Sequence, residues 1–146
     1  MTVFLCRSCG RPVTGPLRSL DEMPEQHCAD QDEGDRSGAT VARGTYAVDP
    51  EAFGAPYVVP TGTAPDAPTN VRVPGGPCGT FVLHPEDAIG LLPHPDRRRH
   101  VGCCGPDGMN GSNRICPCGA EVATLVADCW TQQELRLDPE HVRAEL

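Results

Sequence analysis

Cys103-Cys104-Gly105 opens and Asp128-Cys129-Trp130 closes the stretch that decides how this chain folds. Between them lie a turn-rich loop, Pro106 to Asn113, then the knuckle Arg114-Ile115-Cys116-Pro117-Cys118-Gly119, then Ala120 to Ala127. That last run places Val122, Thr124 and Val126 on one face, the period of a strand. Four thiols therefore flank a loop and a strand, and a fifth comes after the strand. Gly and Asn in the connections supply the turn conformations.

The partner of this stretch lies at the other end of the chain. Cys6-x-x-Cys9-Gly10 comes directly after Val3-Phe4-Leu5, which reads as a strand. Two thiols at this spacing, with Gly easing the turn, form half of a tetrahedral metal site. A closed structural site needs four ligands, so the other half comes from downstream. The expected set is Cys6 and Cys9 with two of Cys103, Cys104, Cys116 and Cys118. The adjacent Cys103 and Cys104 are expected to diverge, one to the metal and one elsewhere. A second site has the remaining two of those four to draw on, with Cys129, Cys28, Cys78 or His100. The competing readings are a redox dithiol and buried thiols that merely fill space. All-sulfur tetrahedral sites suit zinc or iron, and Zn2+ is the expected ion, at one site or two. A rubredoxin-like single iron is disfavoured by dissimilar knuckles without aromatic neighbours. An iron–sulfur cluster lacks its C-x2-C-x2-C run.

Composition explains why such a chain needs metal. Leu, Ile, Val and Phe supply only 28 of 146 residues, and Gly and Pro supply 32, a balance close to that of disordered chains. Nine cysteines argue against disorder, and their odd number fits a complete disulfide set poorly. The amino terminus, Met1 to Arg11, lacks the apolar stretch of a secretory signal. No apolar run reaches membrane-spanning length. The expected location is the reducing cytoplasm, where thiols serve metals more often than disulfides. The net charge of −8 opposes nucleic acid and anionic lipid as partners.

The remaining chain reads as one domain, 1–146. Its metal core is expected from 1–20 and 101–137, around a loop-rich middle, 21–100. Seven acids and no base crowd residues 21–35, an acidic loop that continues to 43. Short strands are expected at 45–48, 57–59, 70–73 and 79–84. Pro85-Glu86-Asp87 looks like the first turn of a helix over 85–92. Asp138-Pro139 looks like the start of a short terminal helix. Arg97-Arg98-Arg99-His100 reads as a basic loop. The stretch 131–137 is ambiguous.

Cys103-Cys104-Gly-x-Asp107-Gly-x-x-Gly111, Asn113, Cys116-Pro-Cys118-Gly-x-Glu121-Val-x-Thr124 and Asp128-Cys129-Trp130, with Cys6-x-x-Cys9, together resemble small cysteine-rich, zinc-ribbon-like proteins of GC-rich bacteria. The likeness covers about a third of the chain. It implies a metal-stabilised, mostly-β domain with long irregular loops, and no activity. The expected role is a structural or adaptor protein that meets a protein partner. The alternatives are a redox or metal-sensing protein, a nucleic-acid-binding ribbon, and a zinc enzyme. The last would use Asp107, Glu121, Asp128 or His100 beside an open site, but His-Glu-x-x-His and deaminase patterns are absent.

Overall fold

A computed structural model describes residues 1–24, 38–60 and 71–146. Cys28 and most of the acidic loop therefore lie outside the described residues. The described chain is mostly β. Its strands are β1 (Val3–Cys6), β2 (Arg18–Ser19), β3 (Thr45–Asp49), β4 (Tyr57–Val58), β5 (Val73–Pro74), β6 (Thr80–Leu83), β7 (Leu92–Pro93), β8 (Arg114–Ile115), β9 (Glu121–Val126), β10 (Glu134–Leu137) and β11 (Val142–Glu145). One sheet runs β2-β3-β6-β10-β9-β8-β7, and β1 pairs with β11, β4 with β5.

The register explains how few apolar residues suffice. Residues directly opposite one another share a face. Tyr46, Leu83, Leu135 and Leu125 form one such row, and Val48, Phe81, Leu137 and Ala123 the next. The β1–β11 ribbon packs over them through Phe4, whose ring meets Tyr46 edge-on at 4.9 Å and Phe81 at 4.6 Å. Phe4, Leu83, Leu137, Val122 and Val142 are fully buried. The residues that carry the thiol knuckles come from 1–20 and 101–137, but the sheet between them takes β3 and β6 from the middle of the chain.

The opposite face of β10 is charged. Glu134 and Arg136 alternate with Leu135 and Leu137 and are as buried as they are. Arg136 bonds Glu134 on its own strand, Asp49 on β3 at 2.7 Å and the Thr80 hydroxyl on β6 at 3.2 Å. Its guanidinium lies 3.9 Å from the Phe53 ring centroid. Thr40 donates to the Glu134 carboxylate at 2.7 Å. The ambiguity of 131–137 in the sequence is thus resolved as a central strand, because its neighbours pair each charge.

Two expected helices do not form. Pro85–Asp87 makes one 3-10 turn, capped by the His84 ring, and stops. Ile89 then donates to the Val13 carbonyl at 2.8 Å, and Ala88 bridges Thr14. That competing pairing, with Pro93 ahead, holds the backbone extended. Asp138 does cap a turn, taking the Glu140 N–H at 2.9 Å. The chain then extends as β11, because β1 offers an open edge and Val142 buries against it. The basic loop at 97–100 is a second 3-10 turn, capped by Asp96. Of the expected strand at 70–73, Asn70 lies outside the described residues, and pairing falls at Val73–Pro74.

Asn113 sits fully buried ahead of β8. Its side chain stands in for a strand: Nδ2 donates to the Leu125 carbonyl at 2.9 Å, and Oδ1 accepts from the Leu125 N–H at 2.6 Å. Asn113→Ala leaves both backbone groups unpaired and is expected to lower stability by about 2 kcal/mol. Urea denaturation checks this, and an unchanged midpoint would contradict it.

Candidate metal centres

The two knuckles meet where β1 and β8 end side by side. Gly10 and Gly119 each close their knuckle at positive φ, 75° and 97°. In the first, the Gly10 N–H donates to the Cys6 carbonyl and the Cys6 N–H to Arg11. In the second, the Gly119 N–H donates to the Cys116 carbonyl and the Cys116 N–H to Ala120. The same pair of bonds recurs with one residue fewer. The shorter Cys116-x-Cys118 spacing is therefore a tighter version of the same turn and still directs both sulfurs inward. Arg7 anchors the first knuckle to the carboxy-terminal turn, donating to the carbonyls of Pro139 and Val142 at 3.1 and 3.0 Å.

The sulfurs of Cys6, Cys9, Cys116 and Cys118 all lie within 4.8 Å of one another. Cys6 and Cys118 are 3.6 Å apart, as are Cys9 and Cys116. A tetrahedral ion with metal–sulfur bonds of about 2.3 Å sets its sulfurs about 3.8 Å apart. The four thiols match that spacing and can hold one metal ion. Cys6 and Cys116 are buried, Cys9 and Cys118 exposed. The Arg11 N–H beside Cys9 brings its thiol down to about 7, while burial pushes Cys116 up to about 12. Four thiolates this close repel one another, so full ionisation calls for a cation among them.

A second group joins Cys103, Cys104 and Cys129, again within 4.8 Å and all exposed. The expected divergence of the adjacent Cys103 and Cys104 is thus corrected: both turn to the same place. Asp128, almost fully buried, explains it. Its Oδ1 accepts the N–H groups of Cys104 at 3.0 Å and Cys129 at 2.7 Å. Its Oδ2 accepts the Cys103 N–H at 3.2 Å and the Trp130 indole N–H at 3.0 Å. These donors, led by Cys104, hold the Asp128 carboxyl down to about 2. The neighbouring Cys104 sulfur, burial and Asp128 push the Cys129 thiol up to about 12. Gly102 is obligatory in this loop, because a Cβ there would stand 1.7 Å from the Gly105 carbonyl oxygen.

Asp128→Asn puts an amide donor against these N–H groups. We expect it to weaken metal at Cys103, Cys104 and Cys129 by about 10–100-fold, the usual effect of disturbing the groups that orient ligands. Competition with a chromogenic chelator measures this, and an equal loss at the four-thiol cluster would count against the role of Asp128.

Neither group includes Cys78 or His100. The His100 Nε2 lies 2.7 Å from the His94 carbonyl oxygen. The other candidates for a catalytic base are engaged as well. Glu121 meets the His94 Nε2 at 2.9 Å, and Asp107 accepts the Met109 N–H at 2.9 Å. A cleft of about 340 Å³ opens beside Phe53, Arg99, Ser112, Glu121 and Arg136, and no described cysteine lines it. No helix among the described residues is long and apolar enough to cross a membrane. Comparison with protein-family models, with curated proteins and with solved structures finds no match.

Proposed function

We propose that the protein is a zinc-binding structural or adaptor module with a zinc-ribbon-like core, working through a protein partner in the cytoplasm. The observation that carries this reading is the convergence of four sulfurs from opposite ends of the chain, Cys6 and Cys9 with Cys116 and Cys118, at tetrahedral spacing. A purely thiolate tetrahedron suits zinc, and structural zinc stabilises small domains outright. The loops around the second thiol group expose Val101, Met109 and Trp130, apolar side chains of the kind a protein partner covers. Nucleic acid is the weaker reading. The charge is −8, and Asp96 pairs with both Arg98 and Arg99 in the basic turn. Metal or thiol sensing is favoured by one observation, the exposure of Cys103, Cys104 and Cys129.

Elemental analysis of the purified protein, with thiols counted before and after chelation, tests the main reading. At least one zinc per chain and at least four thiols unmasked by chelation are expected. Less than one metal per chain would sink it. Binding must also depend on pH. The Cys116 thiol, pushed up to about 12, is protonated at neutral pH and must release its proton to the solvent as metal binds. Affinity is therefore expected to rise with pH through the neutral range, and titrations with a competing chelator at several pH values measure it.

A further inference from the structure

We infer that Cys103, Cys104 and Cys129 form a second, exchangeable metal site whose fourth coordination position is open to a neutral donor from outside the chain. This rests on the reading that the clustered thiols hold metal.

Three sulfurs lie within 4.8 Å of one another, and among the described residues no fourth histidine, cysteine or carboxylate joins them. Asp128 is the nearest acid in sequence, yet both of its oxygens already accept N–H groups, from Cys103, Cys104, Cys129 and Trp130. It orients the ligands without ligating.

The loop itself is built around these thiols. One buried carboxylate gathers the backbone N–H groups of all three cysteines, and this makes two adjacent cysteines face a third 25 residues away. Gly105 closes the loop onto the end of β9, where a Cβ would stand 2.6 Å from the Ala127 carbonyl oxygen. Chance proximity of surface cysteines requires neither the tight closure nor the buried charge.

Exposure and charge then set the chemistry. All three cysteines are exposed, whereas the four-thiol cluster buries two of its members. Three thiolates select a thiophilic ion such as zinc. Around a dication they leave a net single negative charge, with the Asp128 carboxylate close behind. A further anion is disfavoured there, so water or an imidazole nitrogen is the donor that fits. Three protein ligands with a solvent-filled fourth position are the arrangement of open zinc sites. Asp128 is fully engaged and all three sulfurs lie on exposed residues, so the site is suited to exchange of metal or ligand.

Cobalt substitution of the full chain tests this, with imidazole as the outside ligand. Two cobalt ions per chain are expected, and imidazole should shift the visible bands of only one. Cys129→Ser should lose that ion and the imidazole response together, while the other ion's thiolate-to-cobalt bands persist. Cys103→Ser provides an independent second variant with the same expectation. One ion per chain would overturn the inference and leave the four-thiol site standing. Two ions with bands that imidazole does not move would overturn it too, since a fourth ligand would then be supplied by protein. No cobalt at all would overturn the metal reading along with it.

Discussion

Cys116→Ser is expected to abolish the cooperative thermal unfolding of this protein, and excess chelator should do the same to the unmodified chain. Cys116 is fully buried, within the apolar cluster that includes Phe4, Val122 and Val142. Its loss removes one of four ligands and leaves a hydroxyl in an apolar setting. Structural zinc contributes about 10–16 kcal/mol in small peptides, against a net stability of about 5–15 kcal/mol for a whole domain. A chain with so few large aliphatic residues has little else to set against that loss. Circular dichroism melting with parallel metal analysis checks the outcome. A cooperative transition at an unchanged temperature in the metal-free variant would show that the four thiols do not hold the fold together. Cys78→Ser is the control, since Cys78 belongs to neither thiol group.

Arg136→Met is expected to cost about 3–5 kcal/mol, the penalty for breaking one side of a buried ion pair. For a domain of this size that lowers the melting temperature by about 10–15 °C. The side chains of Arg136 and Glu134 are only 3% and 4% exposed, so removing the cation takes the Arg136 partner from a buried carboxylate that water does not reach, and the Thr40 hydroxyl does not replace that charge. Asp49 loses its 2.7 Å partner as well, and Phe53 loses the cation over its ring. The double replacement Arg136→Met with Glu134→Gln should recover part of the loss, because the buried negative charge that Arg136 balanced is gone as well. A single variant as stable as the parent would show that the charged face of β10 is hydrated and contributes little.

The amino-acid sequence foreshadows these two sites unequally. The knuckles are legible in it. Cys6-x-x-Cys9-Gly10 and Cys116-x-Cys118-Gly119 announce their turns locally, because glycine at positive φ and sulfurs a few residues apart are features of a single short segment. The strands Thr45–Asp49 and Thr80–Leu83 are legible from β-branched and aromatic content, and Glu121–Val126 from the alternation of Val122, Thr124 and Val126, for the same reason. The charged strand at Glu134–Leu137 is not, since a Glu and an Arg inside a sheet are tolerable only once Asp49, Thr80 and Thr40 arrive from elsewhere. The two short helices fail for a similar reason. Pro85 and Asp138 start turns as their types predict, but long-range backbone pairing with Val13 and with β1 decides the conformation beyond each turn.

Composition and local turn chemistry alone make this chain sulfur-rich, poor in apolar residues and β-inclined, with thiols concentrated at its start and in 103–129. Which thiols converge depends on contacts between distant segments. The β1–β11 ribbon laid on the sheet brings Cys6 and Cys9 to Cys116 and Cys118, and the buried Asp128 turns the adjacent Cys103 and Cys104 together towards Cys129. Ligand sets are properties of distance in space, and spacing along the chain constrains that distance only within a single turn.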